Sequence, residues 1–242
     1  MKRTSKSGGR RSKTTDQRRR SSSTDDPNQL KKLKPSKLRI IGGSMRGRAV
    51  TYHGAEFTRP MRDSVRENLF NILGGAPRGA VAIDLFAGTG VLAFEAISRG
   101  AVRAIAVEPA RRAIKQIRQS AEHLGIGERL TLISGDAFVL ADKLLRPASD
   151  SDDTPWIVFL SPPYRMWHDE IDFGRLCRII GLVKQRAPLG SVLVVETDDR
   201  FDPASLPTGD WDVRTYGITR LCFLEPATVC GWTPMDDAEP SV

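Results

Sequence analysis

Four short stretches of the 242-residue chain carry side chains suited to chemistry, and they come in a fixed order. Asp84 stands just ahead of the glycine loop Phe86-Ala87-Gly88-Thr89-Gly90. Glu108 and Pro109 follow, then Asp136 and Ala137, and Ser161-Pro162-Pro163-Tyr164 closes the series. Glycines at 88 and 90 let backbone approach a ligand at a helix N-terminus, and an acid about 20 positions further on suits a ribose diol. A dinucleotide fits less well. The place of its third fingerprint glycine is held by Leu92 or Ala93, and an acid ahead of the loop would repel a pyrophosphate. A sulfonium cofactor has the opposite sign, so Asp-x-x-x-Gly-x-Gly points to S-adenosylmethionine rather than NAD. Asp136 taken alone reads equally well as the N-cap of a helix beginning at Ala137. The ordered set carries the reading.

The last stretch suggests what receives the methyl group. A Pro-Pro turn is stiff and donates no N–H of its own, so it can present the Pro162 carbonyl, with the Ser161 oxygen, to the two hydrogens of an exocyclic amino group. Tyr164 offers an aromatic face on which a base can stack. These four residues are the candidate catalytic set. Asp84, the 86–90 loop, Glu108, Pro109, Asp136 and Ala137 are the candidate cofactor site.

Open α/β sheets place such residues at the carboxyl ends of parallel strands, and the sequence supplies the strands. Short β-branched runs at Val81 to Leu85, Arg103 to Glu108, Leu130 to Ser134, Trp156 to Leu160 and Ser191 to Glu196 alternate with segments of helical period. The clearest helix spans Ala110 to Leu124, where Ala113, Ile114, Ile117, Ala121 and Leu124 recur at three- and four-residue steps. Two further runs, Trp211 to Tyr216 and Arg220 to Leu224, separated by a few residues including Gly217, predict an antiparallel hairpin at one sheet edge.

Ahead of the sheet, Leu38 to Ile41 and Arg46 to Thr51 flank Gly42-Gly43-Ser44 as a hairpin, and Pro60 opens a helix whose buried side is Met61, Val65, Leu69, Ile72 and Leu73. Residues 38 to 66 carry six arginines, Arg39, Arg46, Arg48, Arg59, Arg62 and Arg66, against two acids. They form the candidate phosphate-binding face. The alternative is a solvated surface paired with Glu56, Asp63 and Glu67.

The net charge of +8 is concentrated in residues 1 to 37, which hold 13 Lys and Arg against 3 acids and almost nothing apolar. Such a segment is expected to be a disordered basic arm. It lacks the apolar core of a secretory signal, and no run of about 18 apolar residues occurs in the chain, so no membrane association is expected. Cys177, Cys222 and Cys230 are odd in number and lack metal spacing; a reducing cytoplasm and no metal are the expectation. His53, His123 and His168 form no catalytic pattern.

The stretches LRIIGGSMRGRAV (38 to 50), TRPMRDSVRENLFNIL (58 to 73), AIDLFAGTGVLAFEAISRGA (82 to 101), AVEPARRAIKQIRQSAEHLG (106 to 125) and SPPY resemble the RsmD-type 16S rRNA guanine-N2 methyltransferases over roughly residues 38 to 226. The resemblance implies a Rossmann-like, seven-stranded S-adenosylmethionine-dependent methyltransferase sheet of the α/β class with an N-terminal hairpin and helix extension. Residues 1–37 would be the tail, 38–74 the extension that meets RNA, 75–230 the methyltransferase domain and 231–242 a flexible end. It implies that Asp84, Gly88 and Gly90 hold the methionine and ribose region, Glu108 the ribose hydroxyls and Asp136 the adenine amino group. The implied substrate is small-subunit ribosomal RNA in an assembled particle, and the expected state is a monomer. The chain departs from the family at Ser161, where an Asp is common. That leaves two alternatives: a binding protein with impaired catalysis, or an amino-methylating enzyme acting on DNA adenine or protein glutamine.

Overall fold

Residues 81–84 and 156–160 are short, wholly apolar but for Asp84, and buried on both faces, as central strands of a sheet covered on two sides must be. The computed structural model describes residues 38–51, 60–147, 149 and 152–226. The basic arm, Arg59, His53, Glu56 and Cys230 lie outside the described residues. In chain order the elements are β1 (Leu38–Arg39), β2 (Ala49–Val50), α1 (Asp63–Leu73), β3 (Val81–Asp84), α2 (Val91–Ser98), β4 (Arg103–Glu108) and α3 (Arg111–Leu124). There follow β5 (Leu130–Ser134), α4 (Ala137–Leu144), β6 (Trp156–Leu160), α5 (Glu170–Arg186), β7 (Val192–Asp198), β8 (Asp212–Tyr216) and β9 (Thr219–Leu224).

The main sheet has seven strands in the order β5-β4-β3-β6-β7-β9-β8. The first five run parallel, β9 runs antiparallel to β7, and β8 closes the edge antiparallel to β9. The expected Rossmann-like sheet and its terminal hairpin are therefore both present. The chain winds outward from β3 through β4 to β5, then returns to β6 on the other side of β3. The switch point, where a crevice opens above the strand ends, thus lies between β3 and β6.

Side chains alternate between two cores with the period of a strand. Ala82, Ala104, Ile157, Phe159 and Val194 face α1, α2, α3 and the small β1–β2 hairpin. Val81, Ile83, Val158, Leu160 and Leu193 face α4, α5 and Trp167. Among the described residues no helix is long and apolar enough to cross a membrane.

The N-terminal segment differs in detail from the sequence expectation. Each hairpin strand is only two residues long, because Gly43–Met45 forms a 3-10 turn that buries Met45. Helix α1 begins at Asp63, not at Pro60. The reason lies in Arg66, whose guanidinium takes the Met61 carbonyl at 3.0 Å and so holds residues 61 and 62 out of the helix. Arg62 is left extended, with φ −58° and ψ 145°.

Candidate active site

Helix α2 shows how the N-terminal segment is fixed. All eight of its residues are buried, including two polar ones, Glu95 and Ser98. Glu95 is fully buried and accepts from the Ile41 and Gly42 backbone N–H groups and from Arg66 Nε at 3.3 Å, while Arg99 Nε stands 3.6 Å away. Ser98 Oγ donates to the Gly42 carbonyl at 2.6 Å and accepts from the Met45 N–H at 2.9 Å. Gly43 has φ +75°, and a Cβ there would lie 2.0 Å from the Ser98 carbonyl oxygen. The IIGG motif is thus a docking device for the hairpin.

This arrangement corrects part of the expected phosphate-binding face. Arg66 is 0% exposed and four of its five N–H donors go to Glu95, Met61 O, Arg39 O and Asp63, so it is buried away from any RNA. Arg48, though exposed, donates to the carbonyls of His123 and Leu124 and completes the C-terminus of α3. Arg62 donates to Tyr216 O at 3.0 Å and Arg39 pairs with Asp63 at 3.1 Å. Arg46 is exposed, with no side-chain partner among the described residues.

The four chemical stretches converge at the carboxyl edge of the parallel strands. Asp84 ends β3 with 1% of its surface exposed, and neither carboxylate oxygen has a hydrogen-bond partner. Burial pushes its pKa up to about 7. The Phe86 and Ala93 backbone N–H groups are too loosely placed to complete hydrogen bonds and offset burial only in part, while Glu108 and Glu196 add repulsion. A buried carboxylate that completes no hydrogen bond is chemically suited to meet a cation.

The loop after Asp84 is tied down by Ala87 N–H to Val107 O at 2.9 Å and Gly90 N–H to Ala87 O at 2.7 Å. Gly90 opens α2 in the left-handed region, φ +75°, with Phe94 and Ile117 3.0 to 3.2 Å from where a Cβ would be. Glu108, buried at the end of β4, accepts from Gly88 N–H and Ala110 N–H, each at 2.9 Å, so one carboxylate ties the loop to the start of α3. Burial raises its pKa, and those two hydrogen bonds pull it back. Pro109 separates the two roles, leaving Ala110 to cap α3.

Asp136 caps α4, accepting from Phe138 N–H at 2.8 Å, and its other oxygen faces Arg175 at 3.5 Å. Ala137 begins that helix and is buried. The N-cap reading of Asp136 is therefore realised, with the side chain half exposed at the crevice. Phe86 and Phe138 meet edge to face, ring centroids 5.7 Å apart, and Arg175 lies over the Phe138 ring at 3.8 Å.

Ser161-Pro162-Pro163-Tyr164 leaves β6 beside Asp84, since Asp84 pairs with Phe159, two residues ahead of Ser161. Pro162 is buried and Pro163 exposed. Tyr164 Oη donates to Glu196 Oε1 at 2.9 Å and lies 3.1 Å from Thr219 Oγ1. Trp167 Nε1 donates to the Glu196 carbonyl at 2.9 Å, and His168 Nε2 lies 2.9 Å from Asp198 Oδ1. The segment after the Pro-Pro turn is thus fastened to β7 at three successive points. Asp198 is partly desolvated, which raises its pKa, but hydrogen bonds from Arg200 and His168 hold it below the usual range.

Glu196 is not among the sequence candidates. A signal for it exists: β7 is a fifth parallel strand, and it too ends in acids, Glu196 and Asp198.

Comparison with known proteins agrees with this geometry. The family described as Conserved hypothetical protein 95 matches residues 38–225. Ribosomal RNA small subunit methyltransferase D of Escherichia coli K12 is 37% identical over 180 residues, covering 74% of this chain and 83% of that protein. The chain belongs to the RsmD family of methyltransferases. A hypothetical protein of Thermus thermophilus superposes with a TM-score of 0.60 at 26% identity, covering 78% of this chain and 99% of the other. An RNA methyltransferase from Salinibacter ruber in complex with S-adenosyl-L-homocysteine shares the fold, with a TM-score of 0.51 at 16% identity, covering 75% of this chain and 100% of that one.

Proposed function

We propose that the chain transfers a methyl group from S-adenosylmethionine to the exocyclic N2 amino group of a guanine in small-subunit ribosomal RNA. The observation that carries the reading is the juxtaposition, on paired strands β3 and β6, of an unpartnered buried carboxylate at Asp84 and the Ser161-Pro162-Pro163-Tyr164 turn. The first suits the cationic methionine end of the cofactor, and the second suits an amino group on an aromatic base. Bound there, S-adenosylmethionine supplies an electrophilic methyl group. Asp84 would meet its ammonium or sulfonium charge, Glu108 the ribose hydroxyls and Asp136 the adenine amino group. No metal enters this scheme.

The chain's own task is orientation. The lone pair of an exocyclic amino group is delocalised into the ring, so the nitrogen must be turned in line with the methyl group. The Pro162 carbonyl and Ser161 Oγ can each take one amino hydrogen and fix that angle. Approximation of this kind supplies on the order of 7 to 11 kcal/mol of barrier reduction, so a strong base is not needed. The Tyr164 ring stacks on the base while its hydroxyl stays anchored to Glu196 and Thr219.

The RNA-contact face of this reading moves from α1 to α3. Arg111, Arg112, Lys115 and Arg118 are exposed on α3, without an ion pair among the described residues, and the series starts three residues after Glu108. Arg48 ties the hairpin, with exposed Arg46, to the far end of the same helix. Arg165 is exposed directly after Tyr164. Such a face is complementary to a phosphate backbone. The E. coli relative is named for the small ribosomal subunit, which supports ribosomal RNA as the substrate; an assembled particle, a monomeric enzyme and a cytoplasmic location belong to the same reading.

Transfer of labelled methyl groups to separated RNA, DNA and protein, and to small subunits lacking this modification, tests the proposal. Label in N2-methylguanosine of small-subunit RNA is the expected result. Label in DNA adenine or protein glutamine would overturn the substrate. Cofactor binding without any transfer would replace the enzyme by a binding protein.

A further inference from the structure

Tyr164 follows the Pro-Pro turn that leaves β6, and its phenol oxygen is held by groups on the next two strands of the sheet, β7 and β9. It donates to Glu196 Oε1 on β7 at 2.9 Å and lies 3.1 Å from Thr219 Oγ1 on β9. A phenol has one hydrogen. With that hydrogen directed at the Glu196 carboxylate, the contact with Thr219 is a hydrogen bond from the threonine hydroxyl to the phenol oxygen. The three groups form a one-way chain, Thr219 to Tyr164 to Glu196.

Both strand residues are themselves fixed. The Glu196 carbonyl accepts from Trp167 Nε1 at 2.9 Å, so a single residue of β7 holds the segment after the turn by its side chain and by its backbone. Thr219 is buried and stands opposite Asp198 on β7 and Tyr216 on β8. The Tyr216 carbonyl in turn accepts from Arg62 at 3.0 Å, which ties the start of β9 to the N-terminal segment.

The consequence lies in the ring. Conjugation of the phenol oxygen with the ring keeps its hydrogen and its acceptor lone pair close to the ring plane. Turning Tyr164 about its Cβ–Cγ bond leaves the oxygen in place but swings that plane, so both hydrogen bonds weaken together. A donor on one strand and an acceptor on another therefore fix the pitch of the ring. That ring is the surface offered to the base, and the amino nitrogen lines up with the methyl group only when the plane of the base is set. We propose that Glu196 and Thr219 are positioning residues that act through the Tyr164 phenol, setting the plane on which the target guanine stacks. In this role the Glu196 side chain serves as an acceptor, and its charge is dispensable.

The inference rests on the amino-methylation reading above, and the test separates the two. In the full-length enzyme assayed on small subunits lacking the modification, Glu196→Leu should lower kcat by about tenfold and Thr219→Val by roughly threefold. The dissociation constants for RNA and S-adenosylhomocysteine should be little changed in both. Glu196→Gln should recover most of the Glu196→Leu loss, because its amide oxygen still accepts from the phenol. Glu196→Leu combined with Tyr164→Phe should be no slower than the slower single variant, since both remove the same hydrogen bond. Independently of turnover, NMR of tyrosine-labelled protein should show the Tyr164 ring flipping about tenfold faster in Glu196→Leu than in the wild type or Glu196→Gln. Undiminished kcat in Glu196→Leu would overturn the positioning role while leaving the enzyme assignment intact. So would a Glu196→Gln as slow as Glu196→Leu, losses that multiply in the double variant, or a flip rate indifferent to Glu196→Leu. A wild type that methylates no amino group would overturn both readings.

Discussion

Two buried carboxylates stand at opposite ends of the same short loop and helix, Asp84 at the end of β3 and Glu95 on α2. Glu95 is surrounded by donors: two backbone N–H groups of the hairpin, the Arg66 guanidinium and, further off, that of Arg99. Asp84 has none. Burial costs both acids solvation, and only one is compensated within the chain. The difference separates structure from function. A satisfied buried charge holds elements together, whereas an unsatisfied one is stable only when something from outside completes it.

Breaking the satisfied member should have the largest effect. Glu95→Ala leaves Arg66 buried without its anion, and Arg66→Ala does the reverse. Each should destabilise the protein by about 3 to 5 kcal/mol, read from urea denaturation. The paired replacement Arg66→Met with Glu95→Leu should lose less than either single change. If Arg66→Ala retains stability yet loses RNA affinity, Arg66 belongs to the phosphate-binding face after all.

Asp84 should behave in the opposite sense. Its pKa is about 7 in the fold against 3.8 ordinarily, so between those values the unfolded chain has lost a proton that the fold still holds. Raising the pH from 4 to 7 therefore favours unfolding, by about 4 kcal/mol from this group alone, with no further loss above 7. Asp84→Asn should lack this decline and be more stable than wild type at pH 8 but not at pH 4, relative to its own average. It should also lose S-adenosylhomocysteine affinity, by on the order of a hundredfold. In the wild type that affinity should rise as pH approaches 7 from below, with a proton released on binding. A pH-independent difference in stability between the two proteins would remove Asp84's charge from the account.

How much of this contrast is legible in the sequence depends on which physical rule places each residue. Asp84, Glu108, Asp136 and Ser161 can be picked out because apolar runs mark strands and ligands of parallel sheets bind at strand ends. The seven-stranded sheet follows from the same rule. Glu95 and Arg66 are not separable from surface charge, since a helical period shows which side of α1 is apolar but not that an arginine at its edge turns inward to meet an acid on α2. Glu196 escapes notice because its side-chain partner, Tyr164, follows β6 and is 32 residues away in sequence. The start of α1 is misplaced by three residues since Pro at 60 is a good first helical residue in general. Here Arg66 withdraws the Met61 carbonyl from that role.

The contrast between satisfied and unsatisfied groups also divides the arginines. Arg66 is buried and commits four of its five N–H donors within the chain, while Arg111, Arg112, Lys115 and Arg118 spend none on side chains among the described residues. Changing Arg111 and Lys115 together to Ala should weaken RNA binding by roughly tenfold at moderate salt and reduce the slope of log affinity against log salt by about 1 to 2. Stability and S-adenosylhomocysteine binding should be untouched, because both side chains are exposed. An unchanged slope would return the RNA face to the hairpin and the N-terminal arm.

The smallest effect is expected at Tyr164, where one residue contains both halves of the comparison. Its hydroxyl is satisfied within the chain, by Glu196 at 2.9 Å and Thr219 at 3.1 Å, and its ring is the part offered to a base. Tyr164→Phe removes only the satisfied half. It takes the phenol donor away from the Glu196 carboxylate, and should cost about 0.5 to 1.5 kcal/mol of transition-state stabilisation, up to roughly tenfold in kcat, with RNA affinity nearly unchanged. Tyr164→Ala also removes the stacking surface and should lose about 1 to 3 kcal/mol more, part of it as weaker binding of the target RNA. Neither change should alter cofactor affinity. If Phe and Ala are equally impaired, the hydroxyl is the working part of Tyr164 and the ring only carries it; if Phe matches wild type in kcat, the link from Tyr164 to Glu196 fixes the turn without helping the reaction.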